Sequence, residues 1–284
     1  MCRYNPKIDL VFRKLFGSEE NKDILLSFVN AVLEKEVKIK DLTIKNPYNI
    51  SSYITGKTSI LDIKAVDEHD RWYDIEMQIA EQGFYGKRAL YYWGKVFTDQ
   101  VEKAEKLSDL RKTIGIHLLD FNYFRDERYL RRVVLKDFDT NDLYQELDYE
   151  ELYFLEMSKF KKDYRDLKTV LDRWITFMNR AYELERGKVP EELRQEKEIL
   201  RAIEKLEIMY FDPAEKEIYE AERKLRMDHQ EEVRTAQEKG RKEGRMEGIK
   251  EEKIKIAKSL LELLDVKTIS EKTGLSAAEI EELK

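Results

Sequence analysis

A pair of segments in which polar and apolar residues alternate predicts a β-hairpin in the first third of the chain. The first runs from Lys57 to Asp67 and the second from Arg71 to Ala80, on either side of the polar turn Glu68-His69-Asp70. Successive side chains of a strand point to opposite faces, so the apolar residues share one face of the hairpin. The other face carries a polar row of five side chains, those of Asp62, Lys64, Asp74, Glu76 and Gln78.

The length of the turn decides which polar side chains meet. A three-residue turn places Asp62 opposite Glu76 and Lys64 opposite Asp74, whereas a two-residue turn shifts the register by one residue. Directly opposed Cβ atoms are about 5 Å apart, and like charges at that distance destabilise a sheet. The Asp62–Glu76 pair therefore requires a shared proton or a cation, and oxygen ligands at this spacing suit Mg²⁺. The alternative is a solvent-facing edge hairpin whose polar face binds nothing.

The surrounding sequence predicts a mixed sheet with flanking helices. A helix is expected over Lys7–Phe16, ahead of the hairpin, and another over Gly83–Leu107, after it. Further strands are expected over Val37–Lys45, Thr113–Leu119, Arg128–Leu135 and Glu151–Met157. The order helix, three strands, helix, strand indicates an α/β fold.

The last third of the chain is predicted to be helical. An apolar helix face begins near Leu167, and an almost purely charged helix follows Asp212-Pro213 to about Lys258. Glycines recur on one face of that helix at Gly240, Gly244 and Gly248, which fits either a solvated linker or a close helix–helix contact. Residues 266–283 have the spacing of a helix-turn-helix around Gly274. The second of these helices is acidic, which favours a docking or oligomerisation element over DNA reading.

Several classes of protein are excluded by simple counts. Cys2 is the only cysteine, so an intrachain disulfide or a thiolate metal cluster is impossible. The histidines, His69, His117 and His229, lie far apart in the sequence, and no HExxH pair is present, which argues against a zinc enzyme. The sequence has no apolar leader and no run of 18 apolar residues, so we expect a cytoplasmic protein without a membrane span.

The distribution of charge matters more than its sum. The formal net charge of −6 argues against a nucleic-acid partner if it is spread evenly. Residues 137–157, however, hold eight acidic residues and no Lys or Arg. Residues 83–136 hold 12 Lys or Arg against seven Asp or Glu, a net of +5. A DNA-binding surface is therefore possible if it is local, and its binding should be weak and sensitive to salt.

Four stretches of the sequence resemble the PD-(D/E)XK nucleases. Asp62, followed after thirteen residues by Glu76-Met77-Gln78, is similar to the branch in which glutamine replaces the lysine of the last motif. More specifically, the chain resembles the Rpn family of recombination-promoting nucleases, which are also described as transposases. The stretches are Pro6–Gly17, Leu61–Ala65, Ile75–Gln78 and Arg88–Trp93, and the glycine-spaced charged tail is also typical.

The resemblance implies a fold, an activity and a cofactor. The fold would be a restriction-endonuclease-like α/β mixed sheet flanked by helices, in a nuclease core over residues 1–160. A helical extension over residues 161–228 and a charged tail over 229–284 would follow. The activity would be metal-dependent endonucleolytic hydrolysis of DNA phosphodiester bonds in recombination, with Mg²⁺, or else Mn²⁺ or Ca²⁺. A spaced DDE triad is absent, so strand transfer is not predicted.

The resemblance also assigns roles to individual residues. Asp62 and Glu76 would hold the metal, with Gln78 in the position of the lysine. An amide can orient water but cannot supply positive charge, so Lys64, on the same strand face, is a candidate for that role. Asp9 would be a third metal ligand, unless it serves only the dipole of its helix.

Two residues of the following helix, Arg88 and Tyr92, are candidates for binding DNA phosphate. The alternative places Tyr92 in the core and Arg88 in solvent. Gln78 and the lack of a strong basic cluster also leave a rival function open, that of a catalytically silent module binding DNA or protein. We expect the chain to be a homo-oligomer held together by its C-terminal tail.

Overall fold

The computed structural model describes residues 4–33, 38–46, 62–80, 83–101 and 106–283, and they fall into two compact units. The first unit is Met1–Arg226 and the second is Met227–Lys284. Within the described residues of the first unit, six strands form one mixed sheet. They are β1 (Leu42–Ile44), β2 (Asp62–Asp67), β3 (Trp72–Gln78), β4 (Thr113–Leu119), β5 (Leu130–Val134) and β6 (Glu150–Glu156).

The order of the strands is β1-β2-β3-β4-β6-β5. The first three pair antiparallel, β4 runs parallel to both β3 and β6, and β5 pairs antiparallel with β6 at the edge. A parallel β3–β4 pair needs a crossover, and the helix between these strands supplies it. The mixed α/β sheet predicted from the sequence is therefore confirmed.

In the described part of the first unit, the α-helices are α1 (Asp9–Phe16), α2 (Lys22–Val32), α3 (Tyr85–Thr98), α4 (Val170–Arg180), α5 (Glu191–Arg194) and α6 (Lys197–Ile208). A long helix, α7 (Pro213–Leu260), begins in this unit and continues into the second. The predicted strand segments 57–61 and residue 37 lie outside the described residues, as does Cys2.

The helix predicted over Gly83–Leu107 is shorter than expected, since α3 ends at Thr98. The reason is the side chain of Gln100, which is buried just beyond the helix. Its amide nitrogen donates to Arg111 O and Thr113 Oγ1, and its amide oxygen accepts from Arg111 N–H at 2.9 Å. These bonds tie the end of α3 to the start of β4, so the chain turns there instead of continuing as a helix.

One face of the sheet packs against α1, α2 and α4. Phe16 of α1, Phe28 of α2 and Trp174 of α4 meet with ring centroids 5.5 to 5.9 Å apart. Trp174 is fully buried, and its Nε1–H donates to Ser27 Oγ at 3.2 Å. Ile63, Ile75 and Ile116 belong to the same core cluster. Helices beyond residue 160 therefore share one hydrophobic core with the sheet.

The other face of the sheet is covered by α3. Tyr85 and Ala89 of this helix pack against Leu119, Leu152 and Phe154 in a separate cluster. Trp93 Nε1–H also donates to Thr113 O at 2.9 Å, at the start of β4. The polar residues Asp74, Glu76 and Gln78 of β3 lie on this same face, so α3 covers them.

The second unit contains most of α7 and two short helices, α8 (Val266–Thr273) and α9 (Ala277–Glu281). Gly274 ends α8 at φ +71°, a left-handed conformation that favours glycine. Ser276 caps α9 in a reciprocal capping box with Glu279. A Cβ built at Gly240, Gly244 or Gly248 of α7 would meet, among the described residues, no atom within 4 Å beyond the backbone of its own helical turns. No helix in the described ranges has the length and apolar character needed to cross a membrane.

Candidate functional site

The β2–β3 hairpin has the three-residue turn on which the predicted pairing depends. Asp67 N–H donates to Arg71 O at 3.1 Å, and the turn residues are Glu68, His69 and Asp70. Asp70 has φ 63°, and aspartate adopts this left-handed region more readily than most residues. The Asp67 carboxylate holds the turn by accepting hydrogen bonds from His69 N–H and Arg71 N–H, both at 2.9 Å.

The register that follows from this turn brings two acidic positions together. Asp62 pairs with Glu76, and Lys64 pairs with Asp74. Directly opposed residues of an antiparallel pair point to the same face, which here lies beneath α3. Asp74, Glu76 and Gln78 are all buried there. The predicted register is therefore confirmed, and the alternative of a solvent-facing edge hairpin is wrong, because β2 and β3 lie inside the sheet and Glu76 is buried.

Glu76 is the most constrained acid of this face. Its side chain is fully buried, and its Oε1 lies 2.9 Å from Nη2 of Arg88 in α3. Its Oε2 lies 3.4 Å from Nδ1 of His117 and accepts no hydrogen bond from the residues described. Arg88 also lies over the ring of Tyr92, with 5.2 Å between the guanidinium carbon and the ring centroid. Arg88 thus contacts the carboxylate directly, which the sequence reasoning did not anticipate.

His117 is a residue of the site that sequence reasoning missed. It is the register partner of Glu76 on the parallel strand β4 and is fully buried. Its Nδ1 lies 3.1 Å from the Tyr85 hydroxyl, and its ring stacks on Phe154 with centroids 5.1 Å apart. A single histidine in the centre of the apolar run Thr113–Leu119 was the available signal, since a buried polar group needs a partner.

A glycine makes room for this histidine. A Cβ on Gly115, two residues earlier on the same face of β4, would lie 3.0 Å from His117 Nε2. It would also lie 2.7 Å from Leu152 Cδ2, closer than real Cβ atoms approach other atoms. The absence of a side chain at Gly115 therefore lets the imidazole and Leu152 lie side by side beneath α3.

Lys64 and Gln78 share the polar face but lie on opposite sides of the Asp62–Glu76 pair along the strands. The Gln78 amide donates to Ala80 O at 3.1 Å. Lys64 Nζ lies 3.5 Å from Asp99 Oδ2, just beyond the end of α3. The Gln78 amide therefore lies at the carboxyl end of β3, whereas the Lys64 ammonium lies near the carboxyl end of α3.

The start of α1 lies at the same end of the sheet as Gln78. Asp9 is the first residue of α1 and is buried. Lys7, two residues earlier, pairs with Asp120 at 2.5 Å, and Asp120 N–H donates to Gln78 O at 3.0 Å. Arg226 of α7 binds the other oxygen of Asp120 at 2.7 Å. Burial lowers the pKa of Lys7, and the attraction of Asp120 only partly opposes this effect.

The acidic positions of this sheet face offer the oxygen donors that a divalent cation needs. Among side chains that the structure describes, no group of three or more His, Cys, Asp or Glu has metal-site geometry. The Asp62 side chain lies outside this description, while its backbone position opposite Glu76 is defined. Two acidic positions in direct register, together with a buried Glu76 oxygen that accepts no hydrogen bond in the described part of the chain, match the oxygen ligands of Mg²⁺. The residues present therefore fit a hard divalent cation.

The Arg88–Glu76 pair leads to a stability prediction. Arg88→Met leaves the Glu76 carboxylate buried without its guanidinium partner, and we expect a loss of about 2–3 kcal/mol in the free energy of unfolding. This loss is smaller than the roughly 3–5 kcal/mol typical of a broken buried ion pair. The Arg88 side chain is 18% exposed, so solvent weakens the interaction. In a double-mutant cycle with Glu76→Gln, measured by urea unfolding in EDTA, the coupling energy should be about 1–3 kcal/mol.

A matched control for this cycle is the surface ion pair Arg223–Glu220, whose side chains are both 52% exposed. Exposed pairs contribute little, so its coupling energy should stay below about 1 kcal/mol. Additive effects of Arg88→Met and Glu76→Gln, within about 0.5 kcal/mol, would show that the two residues do not stabilise each other.

Comparison with known proteins agrees with this architecture. A family model described as PD-(D/E)XK nuclease family transposase matches residues 6–236. The match includes α1 to α6, all the strands of the described sheet and the first half of α7. No curated protein and no solved structure matches the chain. The family match spans the paired positions Asp62 and Glu76, and it confirms the resemblance noted in the sequence. The chain belongs to the PD-(D/E)XK nuclease family transposases.

Proposed function

We propose that this protein is a metal-dependent DNA endonuclease that hydrolyses phosphodiester bonds, with a role in DNA recombination. The observation that carries the proposal is the Asp62–Glu76 register pair on the polar sheet face beneath α3. Two acidic positions in direct register on one sheet face favour a cation between them, in addition to Arg88, which contacts one oxygen of Glu76. Membership of a nuclease family supports the choice of a phosphodiester as substrate.

The proposed metal ligands are Asp62 and Glu76, with Asp9 of α1 as a third. Mg²⁺ is the preferred ion, and Mn²⁺ or Ca²⁺ would suit the same oxygen donors. When bound, such an ion polarises the scissile phosphate and lowers the pKa of a water molecule. Arg88 binds one oxygen of Glu76, and the other oxygen, 3.4 Å from His117 Nδ1, accepts no hydrogen bond from the described residues and would bind the metal.

Most nucleases of this superfamily have a lysine where this chain has Gln78. We propose that Gln78 and Lys64 together perform the functions of that lysine. The Gln78 amide offers both a donor and an acceptor, so it can orient the attacking water. It carries no charge, so stabilisation of the phosphorane charge has to come from a cation, and Lys64 is on the same face. The two side chains lie on opposite sides of Asp62–Glu76, which separates orientation of the water from stabilisation of charge.

Arg88 and Tyr92 are proposed to bind the DNA phosphate backbone. Guanidinium has five N–H donors, so Arg88 can hold Glu76 with one nitrogen and still donate to a phosphate. Its side chain is partly exposed, which leaves part of it accessible from solvent. The Tyr92 ring lies beneath the guanidinium and fixes its orientation.

A second candidate function is a catalytically silent module that binds DNA or protein. The observation that favours it is that Arg88 already neutralises Glu76, while Gln78 replaces the lysine. A DNA-binding assay in EDTA, paired with a cleavage assay in Mg²⁺, separates the two functions. An endonuclease binds in both conditions and cuts only with the metal, whereas a silent module binds and never cuts.

Self-association is proposed for the C-terminal tail. From residue 237 to 252 of α7, every described side chain is exposed. Three glycines on one face each cost about 1 kcal/mol relative to alanine in a helix interior. A side chain at these positions would find open space in the described chain. A second copy packed on this face would make use of the missing side chains. Analytical ultracentrifugation of the full chain, with truncation after residue 236 as comparison, measures this association.

The division of roles between Lys64 and Gln78 leads to a kinetic prediction. Lys64→Ala removes a charge from the site, and we expect kcat for plasmid nicking to fall about 10²-fold, as when one electrostatic donor is removed. Lys64→Arg keeps the charge and should retain most of the activity. Full cleavage by Lys64→Ala, together with loss of cleavage in Gln78→Ala, would assign the whole role to Gln78.

A further inference from the structure

Helix α3 differs from the rest of the chain in its charge. Between Tyr85 and Thr98 it carries Lys87, Arg88 and Lys95 and no acidic residue, although the chain as a whole has a net charge of −6. This is the same helix that covers the polar sheet face and contacts Glu76 through Arg88. A cationic helix that lies directly over the candidate site is suited to a polyanionic partner.

The solvent face of α3 has a regular composition. Phe84, Lys87, Tyr91 and Lys95 follow one another at spacings of three, four and four residues, which places them along one face of a helix. All four are exposed, with Phe84 at 74% and Tyr91 at 64%. The opposite face holds the buried residues Tyr85, Ala89 and Val96. We call this exposed row of alternating aromatic and cationic side chains the α3 stripe.

The side chains of the α3 stripe contact one another and the neighbouring Tyr92. Lys87 Nζ lies 5.3 Å from the Phe84 ring centroid, and the Tyr91 and Tyr92 rings are 5.5 Å apart in edge contact. Single exposed apolar side chains are common on protein surfaces, whereas contiguous apolar groups bordered by polar residues mark interaction surfaces. The neighbouring rings and lysines of the α3 stripe form such a group. The stripe adjoins the site, since Lys87 is the chain neighbour of Arg88.

We propose that the α3 stripe binds an unpaired strand of DNA beside the scissile phosphate, which rests on the proposed nuclease function. The lysines would contact phosphates, and the rings of Phe84 and Tyr91 would stack on bases. Phe84 and Tyr91 are seven residues apart, which corresponds to about 10.5 Å along a helix. This distance equals the rise of about three nucleotides of a DNA strand. Base faces are accessible to these rings only where the strand is unpaired, so the substrate would contain a single-stranded or opened segment.

The test measures equilibrium DNA binding by the full chain in EDTA, so that no cleavage occurs. Fluorescence anisotropy compares a single-stranded oligonucleotide with a duplex of the same sequence. Phe84→Ala and Tyr91→Ala should each weaken single-strand binding about fivefold or more, since a stacked base contributes about 1–3 kcal/mol. Duplex binding should change less than about twofold, and Tyr91→Phe, which keeps the ring, should bind like the wild-type chain.

The charged members of the α3 stripe give a separate readout. Lys87→Gln with Lys95→Gln should lower the slope of log K against log salt by about 1.4 for the single strand, because two phosphate contacts are lost. The aromatic variants should leave that slope unchanged. The matched controls are Tyr210→Ala, whose side chain is also 74% exposed, and Lys197→Gln, with a 90% exposed side chain, and both should bind like the wild type.

The outcomes separate this inference from the proposed function. Stripe variants that bind a single strand as tightly as the wild type, or that lose single-strand and duplex binding equally, would overturn the inference alone. A change of oligomeric state in Tyr91→Ala, with DNA binding intact, would also overturn it and would assign the surface to protein contact. Stripe-dependent binding in a chain that never cuts DNA supports the inference and contradicts the nuclease. A wild-type chain that binds no DNA contradicts both.

Discussion

Glu76→Gln is expected to lower kcat/KM for Mg²⁺-dependent DNA cleavage by about 10³-fold or more. The carboxylate is one of two opposed metal ligands in the proposed site, and metal-assisted charge stabilisation contributes several kcal/mol to the barrier, where each 1.36 kcal/mol is tenfold. Glutamine keeps the shape of the side chain and leaves no cavity, so the fold should remain. The measurement is the initial rate of nicking of supercoiled plasmid, with Asp62→Asn as the companion variant.

The control for this variant is Glu150→Gln, because Glu150 lies at the start of β6, away from the hairpin pair. It should cleave at the wild-type rate within about twofold, because its half-buried side chain belongs to none of the proposed metal- or phosphate-binding residues. DNA affinity in EDTA should not fall in Glu76→Gln, because the substitution removes a negative charge and leaves Arg88 in place to bind phosphate. Retention of cleavage within tenfold in Glu76→Gln would place the metal on other residues.

Trp174→Ala is expected to lower the free energy of unfolding of the first unit by about 3–5 kcal/mol. The indole is fully buried between Phe16, Phe28 and Phe177, and its N–H donates to Ser27. Its removal leaves a cavity in the core where α4 meets α1 and α2. Urea unfolding followed by far-ultraviolet circular dichroism measures the change, and the sheet should unfold together with the helices.

The comparison variant is Leu225→Ala, whose side chain is 67% exposed on α7. It should change the free energy of unfolding by less than about 0.5 kcal/mol. A loss below about 1 kcal/mol in Trp174→Ala, or a separate unfolding transition for the helices, would mean that residues beyond 160 fold apart from the sheet.

The register of the hairpin was predictable because it depends on local features. A three-residue turn between two alternating strands fixes which residues face each other. Asp67, the residue before the turn, stabilises it by accepting hydrogen bonds from the backbone of His69 and Arg71. The buried strand Thr113–Leu119 was also predicted with its observed bounds, since a continuous apolar run leaves few other structures. The sequence-adjacent half of the candidate site could therefore be deduced before the fold was known.

The contacts made by Glu76 could not be deduced in the same way. Arg88 reaches it from a helix, and His117 reaches it from a strand that is parallel to β3 across a long crossover. Both contacts depend on where α3 and β4 dock, which is decided by packing over the whole sheet and not by spacing in the sequence. Gln100 likewise ends α3 through bonds to residues eleven and thirteen positions later, beyond the reach of helix propensity.

Incubation of supercoiled plasmid with the purified wild-type chain in Mg²⁺, and in parallel in EDTA, tests the nuclease proposal most directly. The pairing of Asp62 with Glu76 predicts nicked and linear products in Mg²⁺ or Mn²⁺, no products in EDTA, and none from Glu76→Gln prepared in the same way. Intact plasmid after incubation of the wild-type chain with either metal, or equal cutting by Glu76→Gln, would contradict a hydrolytic site at this pair.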